Sequence, residues 1–230
     1  MKKLKTYIRL SLLFMLSACS NEPYDTGDGA LSDMRADFVE AQTDASADIV
    51  SIETDDDERM FLTGAVSVAW AERPDTFYRA LLYYNKVGAD NGTPRAELLG
   101  IKQVLVPAVI AVDDMEGEVK TDPLDFVSSW PSTNGKYLNL EMSVKAGSEN
   151  GQYNAQTIGL ICDKVEGKAG GGRRISLRLY HDQNGVPEYY SVDTYVSIAV
   201  SRLPVEPVAG DEVVVEINTY AGTITKTFTF

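Results

Sequence analysis

Residues 137–144 read Tyr-Leu-Asn-Leu-Glu-Met-Ser-Val, with an apolar side chain at every second position after the tyrosine. This period of two is typical of a β-strand with one buried and one solvated face. The same alternation recurs along the chain, whereas sustained helical periodicity does not. It is found in residues 78–84, 99–106, 175–180, 195–200, and 213–217 with 223–230 as a closing pair. The pattern predicts an all-β protein made of antiparallel barrels or sandwiches.

Turn signals separate these segments. Asn91-Gly92 follows the tyrosine-rich segment and Asn184-Gly185 follows residues 175–180. Both pairs tolerate positive φ at low cost, which favours hairpins, and Ala221-Gly222 separates the last two strands. Residues 31–41 stay open, because Ser32 suits a helix start while residues 37–41 suit a first strand.

A change in composition divides the chain. Residues 113–123 are charged and contain a glycine and a proline, between an apolar run that ends at Val112 and the later strands. We therefore place a domain junction near residue 115. A small OB-like barrel over residues 33–115, followed by an antiparallel β-sandwich over residues 116–230, accounts for the strand segments.

The sequence near the N-terminus has the pattern of an export signal. Lysines and an arginine precede the apolar run 10–16, and Leu16-Ser17-Ala18-Cys19 follows. The run is shorter than the ~20 residues that a membrane span needs. The layout resembles a bacterial lipobox, in which the cysteine thiol is lipidated. We predict a signal peptide at residues 1–18 and lipidation of Cys19, with an ordinary cleaved signal peptide as the alternative.

The segment after the cysteine is rich in Pro, Gly, Asp and Ser. This composition suits a flexible acidic tether, which we predict over residues 19–32. The membrane would then be a partner through the lipid on Cys19. The tether resembles those of Bacteroides-group lipoproteins, which implies an outer-membrane anchor and leaves the periplasmic face and the cell surface both open.

The excess of acidic over basic residues disfavours nucleic acids as partners. The sequence has 21 Lys+Arg against 34 Asp+Glu, and residues 1–18 hold four of the basic residues and no acid. Removing that segment leaves 17 against 34, a formal charge of −17. This charge repels phosphate backbones, so we predict no nucleic-acid partner.

Cysteine and histidine usage restricts the chemistry. Lipidation of Cys19 leaves Cys162 alone, so no internal disulfide is expected, and the preceding apolar run favours a buried thiol. A single histidine, His181, excludes a typical zinc cluster. We predict neither a metal site nor a cofactor.

Three further motifs suggest chemistry, and each has a simpler interpretation. His181 and Asp182 are neighbours on a strand and point to opposite faces, so a hairpin-end histidine is preferred to a catalytic dyad. Residues 55–58 (Asp-Asp-Asp-Glu) lack the spacing and the glycine of a calcium loop and are interpreted as a solvated turn. Residues 170–174 lack the phosphate-loop pattern and precede a strand. We predict no catalytic residue.

Aromatic residues of the first domain supply the one candidate ligand surface. OB barrels use such side chains as stacking platforms. Tyr78 and Tyr84 share one strand parity and Tyr83 has the other, so one of the two faces must be core. The residues predicted to contribute to the surface are Trp70, Tyr78, Tyr83 and Tyr84.

The order of these features resembles one family. The lipobox, the tether, the small β-domain, residues 136–140 (Lys-Tyr-Leu-Asn-Leu) and residues 177–182 followed by Asn184-Gly185 resemble the NigD-like lipoproteins. The resemblance runs from about residue 16 to the end and implies an N-terminal OB-like domain with a C-terminal β-sandwich. It brings no catalytic or ligand residues. The family's name comes from a bacteriocin-associated operon, which implies immunity or export accessory as one alternative role.

No motif identifies a reaction or a ligand. The anchor and the lack of catalytic signatures favour a non-enzymatic envelope module that binds a protein or a glycan partner. A carboxylate-dependent hydrolase of envelope or glycan polymers stays open, because sequence spacing does not give the distance between two acids.

Overall fold

The computed structural model describes residues 33–149 and 154–230, and this part of the chain is built from β-strands, which confirms the all-β prediction. The first strands are β1 (Arg35–Thr43), β2 (Ile49–Thr54), β3 (Arg59–Val66), β4 (Phe77–Asp90) and β5 (Thr93–Gln103). They close into a barrel in the order β1-β2-β3-β5-β4. This barrel is the predicted OB-like domain.

Alternate side chains of the barrel strands point inward and form its core. Residues 37–41 lie in β1, which pairs with β2 and β4. Of the two alternatives that the sequence leaves open for this segment, the structure therefore shows a strand and not a helix. Asn91 and Gly92 adopt φ of 48° and 84° in the β4–β5 hairpin, as predicted. The buried apolar residues include Val39, Ile52, Met60, Leu82 and Tyr84.

The remaining strands form two facing sheets that share one apolar core. They are β6 (Val109–Ala111), β7 (Asp125–Pro131), β8 (Tyr137–Ala146), β9 (Thr157–Gly167), β10 (Arg173–Asp182), β11 (Tyr190–Ala199), β12 (Glu212–Thr219) and β13 (Gly222–Thr229). One sheet has the order β13-β12-β10-β9-β6 and the other β11-β8-β7. This is the predicted sandwich.

The strand order corrects two details of the prediction. The sandwich is not antiparallel throughout, because β10 runs parallel to β12 and β6 runs parallel to β9. In both cases the chain crosses to the three-stranded sheet and then returns. Asn184-Gly185 does adopt positive φ, but the strand after it, β11, pairs with β8 rather than β10. The turn therefore begins a crossover and not a hairpin.

The chain leaves the barrel earlier than predicted. β6 lies before the junction that composition placed near residue 115, yet it pairs with β9 of the sandwich. The last barrel strand ends at Gln103. Composition does not reveal the true domain boundary, because the apolar residues of β6 resemble those of the barrel strands before them. The charged segment that follows β6 is a surface connection within the second domain.

The outer face of the three-stranded sheet packs against the barrel. The inner face of β8 supplies Leu138, Leu140 and Met142 to the sandwich core. Asn139 on its outer face and Ser197 in β11 are nevertheless fully buried. A sheet covered on both faces departs from the alternation of one dry and one wet face.

Candidate functional site

The aromatic residues predicted as a ligand surface do not lie on one face. Tyr84 is fully buried in the barrel, and its hydroxyl donates a 2.8 Å hydrogen bond to Asp37. Burial, together with that bond, raises the pKa of Tyr84. Tyr78 and Trp70 are partly buried against the barrel core and contact each other edge-to-face, with ring centroids 5.7 Å apart. Tyr83 points to the opposite side and is exposed. The predicted four-residue surface is therefore not assembled.

Arg79 occupies the centre of the contact between barrel and sandwich. Its side chain is 1% exposed and donates to both carboxylate oxygens of Asp55, at 2.6 and 2.7 Å. From the sandwich, Ser197 Oγ accepts from Arg79 Nε at 3.2 Å and Asn139 Oδ1 accepts from Nη2 at 3.3 Å. One guanidinium thus joins a barrel turn to two strands of the second domain.

Aromatic rings enclose this guanidinium. Arg79 Cζ lies 4.1 Å from the ring centroid of Tyr137 and 5.3 Å from that of Phe38. Phe38 also makes edge-to-face contacts with Trp130 and Tyr195 of the sandwich, at 5.5 and 5.4 Å. Cation–π contacts gain strength when water is excluded, as it is here.

A second polar cluster lies beside the first. Lys136 Nζ donates to Glu40 at 2.8 Å and to Glu53 at 2.7 Å, and the hydroxyl of Tyr137 donates to Glu40 at 2.8 Å. Burial opposes ionisation of Glu40, yet the bonds from Lys136 and Tyr137 prevail and lower its pKa. The same carboxylates raise the pKa of Lys136. Glu40 is therefore held as a carboxylate with its oxygens occupied.

Sequence reasoning missed Arg79 and misjudged Asp55. Residues 55–58 do form the turn between β2 and β3, but Asp55 is not solvated there, since it pairs with Arg79. In the sequence, Arg79 lies on the same strand face as Phe77, Leu81 and Tyr83. A cation among apolar and aromatic side chains indicates a buried face when the cation has a partner.

An open groove of 530 Å³ lies along the same junction. We call it the junction groove and define it by Arg73 of the β3–β4 loop, Phe77 at the start of β4, Gln103 at the end of β5, residues 104–106 of the interdomain connection, and Ser201 with Arg202 after β11. Arg79, Tyr78, Tyr137 and Glu40 line its floor. Its volume lies in the range typical of ligand sites.

His181 is buried at the end of β10 rather than placed at a hairpin end. Its Nδ1 lies 2.9 Å from the carbonyl oxygen of Asp122, and Nε2 lies 2.9 Å from Gln156 Oε1. Asp182 points elsewhere and accepts from Lys120 at 2.8 Å. The side chains of His181 and Asp182 therefore have different hydrogen-bond partners.

The other candidate motifs have structural partners. Residues 170–174 lie in the β9–β10 hairpin, where Arg173 pairs with Asp211 and Arg174 with Glu212. Cys162 is free and buried in the sandwich core, as predicted, and burial raises the pKa of its thiol. Within the described residues, no group of three His, Cys, Asp or Glu side chains is placed to hold a metal ion.

The predictions for the N-terminus lie outside the described residues. They comprise the signal peptide at 1–18, the tether at 19–32 and the lipidation site Cys19. Over the part of the chain that the structure does describe, no helix is long and apolar enough to cross a membrane.

In this two-domain β-protein, a buried arginine joins an OB-like barrel to a C-terminal β-sandwich. Residues 108–230, more than half of the chain, match the model of the NigD-like C-terminal beta sandwich domain. The chain belongs to the NigD-like family. No curated protein matches it.

Solved structures share the whole two-domain fold. A NigD-like immunity protein from Bacteroides caccae has 20% identity and a TM-score of 0.62, covering 85% of this chain and 97% of that one. A protein from Bacteroides fragilis described as a "putative lipoprotein" has 14% identity and a TM-score of 0.60, covering 85% of this chain and 96% of that one. At these identities the likeness shows the fold alone.

Proposed function

We propose that this protein is a lipid-anchored envelope protein that acts as a non-enzymatic binding module, with the junction groove as its ligand site. The observation that carries the proposal is the chemistry of the groove. It presents guanidinium groups and the exposed ring of Phe77, which are groups that bind ligands. Its carboxylate, Glu40, is already bonded to Lys136 and Tyr137 and is not free to act as an acid or a base.

Groove binding is tested with the fluorescent aromatic anion 8-anilinonaphthalene-1-sulfonate on unlipidated residues 33–230. Ser201 is exposed at the groove, so Ser201→Trp fills the site without entering a core. The matched control is Ser191→Trp, on the exposed part of β11 outside the groove. We expect saturable fluorescence that Ser201→Trp abolishes and Ser191→Trp retains. Equal fluorescence in the two variants contradicts the proposed site.

The anchor is supported by the basic N-terminus, the lipobox-like Leu16-Ser17-Ala18-Cys19 and the name of the Bacteroides fragilis neighbour. Cys19→Ala is expected to leave an unlipidated precursor that no longer partitions into the detergent phase on Triton X-114 separation. The control is Cys162→Ala, which changes the other cysteine and should partition like the wild type. Unchanged partitioning of Cys19→Ala rejects the anchor.

A further inference from the structure

Two arginines of the junction groove lack the carboxylate partner that most arginines of the described residues have. The described residues contain nine arginines, and six of them form ion pairs with a carboxylate. The three that do not are Arg59, Arg73 and Arg202. Two of these three line one groove. In a protein with this excess of acidic residues, two guanidiniums that line one groove without a carboxylate partner favour the binding of an external anion.

Both guanidiniums are held in place by neighbouring groups. The Arg73 guanidinium lies over the Tyr78 ring at 5.9 Å from its centroid, and the Arg73 backbone N–H donates to the Tyr78 hydroxyl at 2.9 Å. Arg202 Nη1 donates to the carbonyl oxygen of Val106 at 3.1 Å. The contact with the Tyr78 ring and the bond to Val106 leave several N–H donors of each guanidinium available, since a guanidinium carries five.

An apolar ring face lies in the same groove. Phe77 is 57% exposed although it begins a barrel strand, and its neighbours in the groove include the polar side chains of Gln103 and Ser201. An exposed ring face packs against the C–H face of a sugar, while amide and hydroxyl groups bond its hydroxyls. The only carboxylate lining the groove in the described residues is Glu40, whose charge Lys136 balances.

We propose that the junction groove binds an acidic saccharide, with its carboxylate on Arg73 or Arg202 and a sugar ring on Phe77. This rests on the proposed function, because it names the ligand class of the same site. An acidic sugar carries a carboxylate and a rigid apolar face on one ring, which matches the two features of the groove. An acidic peptide has carboxylates on flexible stems and leaves Phe77 without a matching face.

The proposal is tested by titration calorimetry on residues 33–230 with tetragalacturonate as the acidic probe. The comparison probes are neutral maltotetraose and tetraglutamate. Arg73→Gln with Arg202→Gln is expected to weaken tetragalacturonate binding about tenfold or more, because charge-assisted hydrogen bonds are lost. Phe77→Ala is expected to weaken it as well. The matched control is Arg59→Gln with Phe61→Ala, an exposed arginine–ring pair of the barrel that should leave binding unchanged.

The outcomes separate this proposal from the proposed function. Selective binding of tetragalacturonate that depends on Arg73, Arg202 and Phe77 supports it. Equal binding of maltotetraose, stronger binding of tetraglutamate, or equal loss in the Arg59 and Phe61 control overturns it. If 8-anilinonaphthalene-1-sulfonate occupies the groove while tetragalacturonate does not bind, the saccharide assignment fails and the binding site stands. If neither binds, both fail.

Discussion

Arg79 is the residue on which the contact between the domains depends most. A buried ion pair adds little net stability, but removing one partner leaves an uncompensated charge. We expect Arg79→Met to lower the free energy of unfolding by about 3–5 kcal/mol in urea titrations. Because Asp55 is left unpaired by that change, adding Asp55→Asn should cost less than the sum of the two single variants.

The control for this prediction is Arg178→Met. Arg178 pairs with Asp163 at the surface, where both side chains are about one-third exposed. Such a pair contributes under about 1 kcal/mol. An Arg79→Met variant no less stable than Arg178→Met would show that the buried guanidinium does not hold the junction.

Because of Asp211, we expect the stability of the sandwich to change with pH in the acid range. Its carboxylate accepts from the backbone N–H of Arg173 at 2.6 Å, from that of Val208 at 3.0 Å, and from the Arg173 side chain. Arg173, followed by these N–H groups, lowers the pKa of Asp211 to about 2 from the ordinary 3.8. The folded pKa lies below the unfolded one, so the stabilisation is present above pH 3.8 and is lost as the pH falls toward 2.

We therefore expect Asp211→Asn to melt below the wild type at pH 7, with a gap that narrows between about pH 4 and pH 2. Thermal unfolding followed by circular dichroism at several pH values measures the gap. The exposed Asp113→Asn should show no such narrowing relative to the wild type. A gap that stays constant down to pH 2 would mean that the Asp211 carboxylate gains nothing from its neighbours.

For individual residues, the sequence predicts which side chains are buried better than it predicts their hydrogen-bond and ion-pair partners. Cys162 was placed in the core because an apolar run precedes it. Arg79 was not placed, because its partners Asp55, Asn139 and Ser197 are 24, 60 and 118 positions away. Only the docking of the two domains brings these groups together, and no local pattern encodes that docking.

Among the elements, strands were predicted where one face is core and the other is solvated. β8 and β10 follow the period-two pattern through most of their length. The predicted period-two segments do not include β2, β3, β6, β7 or β9. β2 buries residues on both faces, and β7 has partly buried residues on both, so neither shows a clean alternation. The sequence also does not predict the pairing of β10 with β12, because the sequence of one strand does not specify which strand lies beside it.

In the β9–β10 hairpin, Gly172 combines a positive φ with the close approach of another main-chain segment. Gly172 has φ +77°, and a Cβ there would lie 2.2 Å from the carbonyl oxygen of Gly210. We expect Gly172→Ala to cost about 2 kcal/mol or more, from backbone strain together with a clash against main chain. Gly170 has open space and no positive φ, so Gly170→Ala should stay within about 0.5 kcal/mol of the wild type. Urea titration compares them, and equal costs would contradict the assigned clash.

For the whole molecule, the sequence predicts two β-domains but not the contact between them. The alternation in β8 predicted a wet outer face, whereas the barrel covers that face at Asn139. Arg79, Lys136 and Phe38 each join a barrel strand to the sandwich. The junction groove exists only because these contacts hold the two domains side by side, so its ligand chemistry was not visible in either half of the sequence alone.

These contacts lead us to expect that barrel and sandwich unfold together. Trp70 lies in the barrel, and Trp130 lies in β7, where it also contacts Phe38 of the barrel. Trp130→Phe therefore leaves a fluorescent reporter in the barrel, and Trp70→Phe leaves one in the sandwich at its contact with the barrel. Leu140→Ala opens a cavity in the sandwich core and costs about 2–5 kcal/mol. If the junction couples the domains, both reporters should shift by the same amount, roughly 4 °C or more. A shift confined to the Trp130 signal would show that the domains unfold independently and that the junction contacts are too weak to couple them.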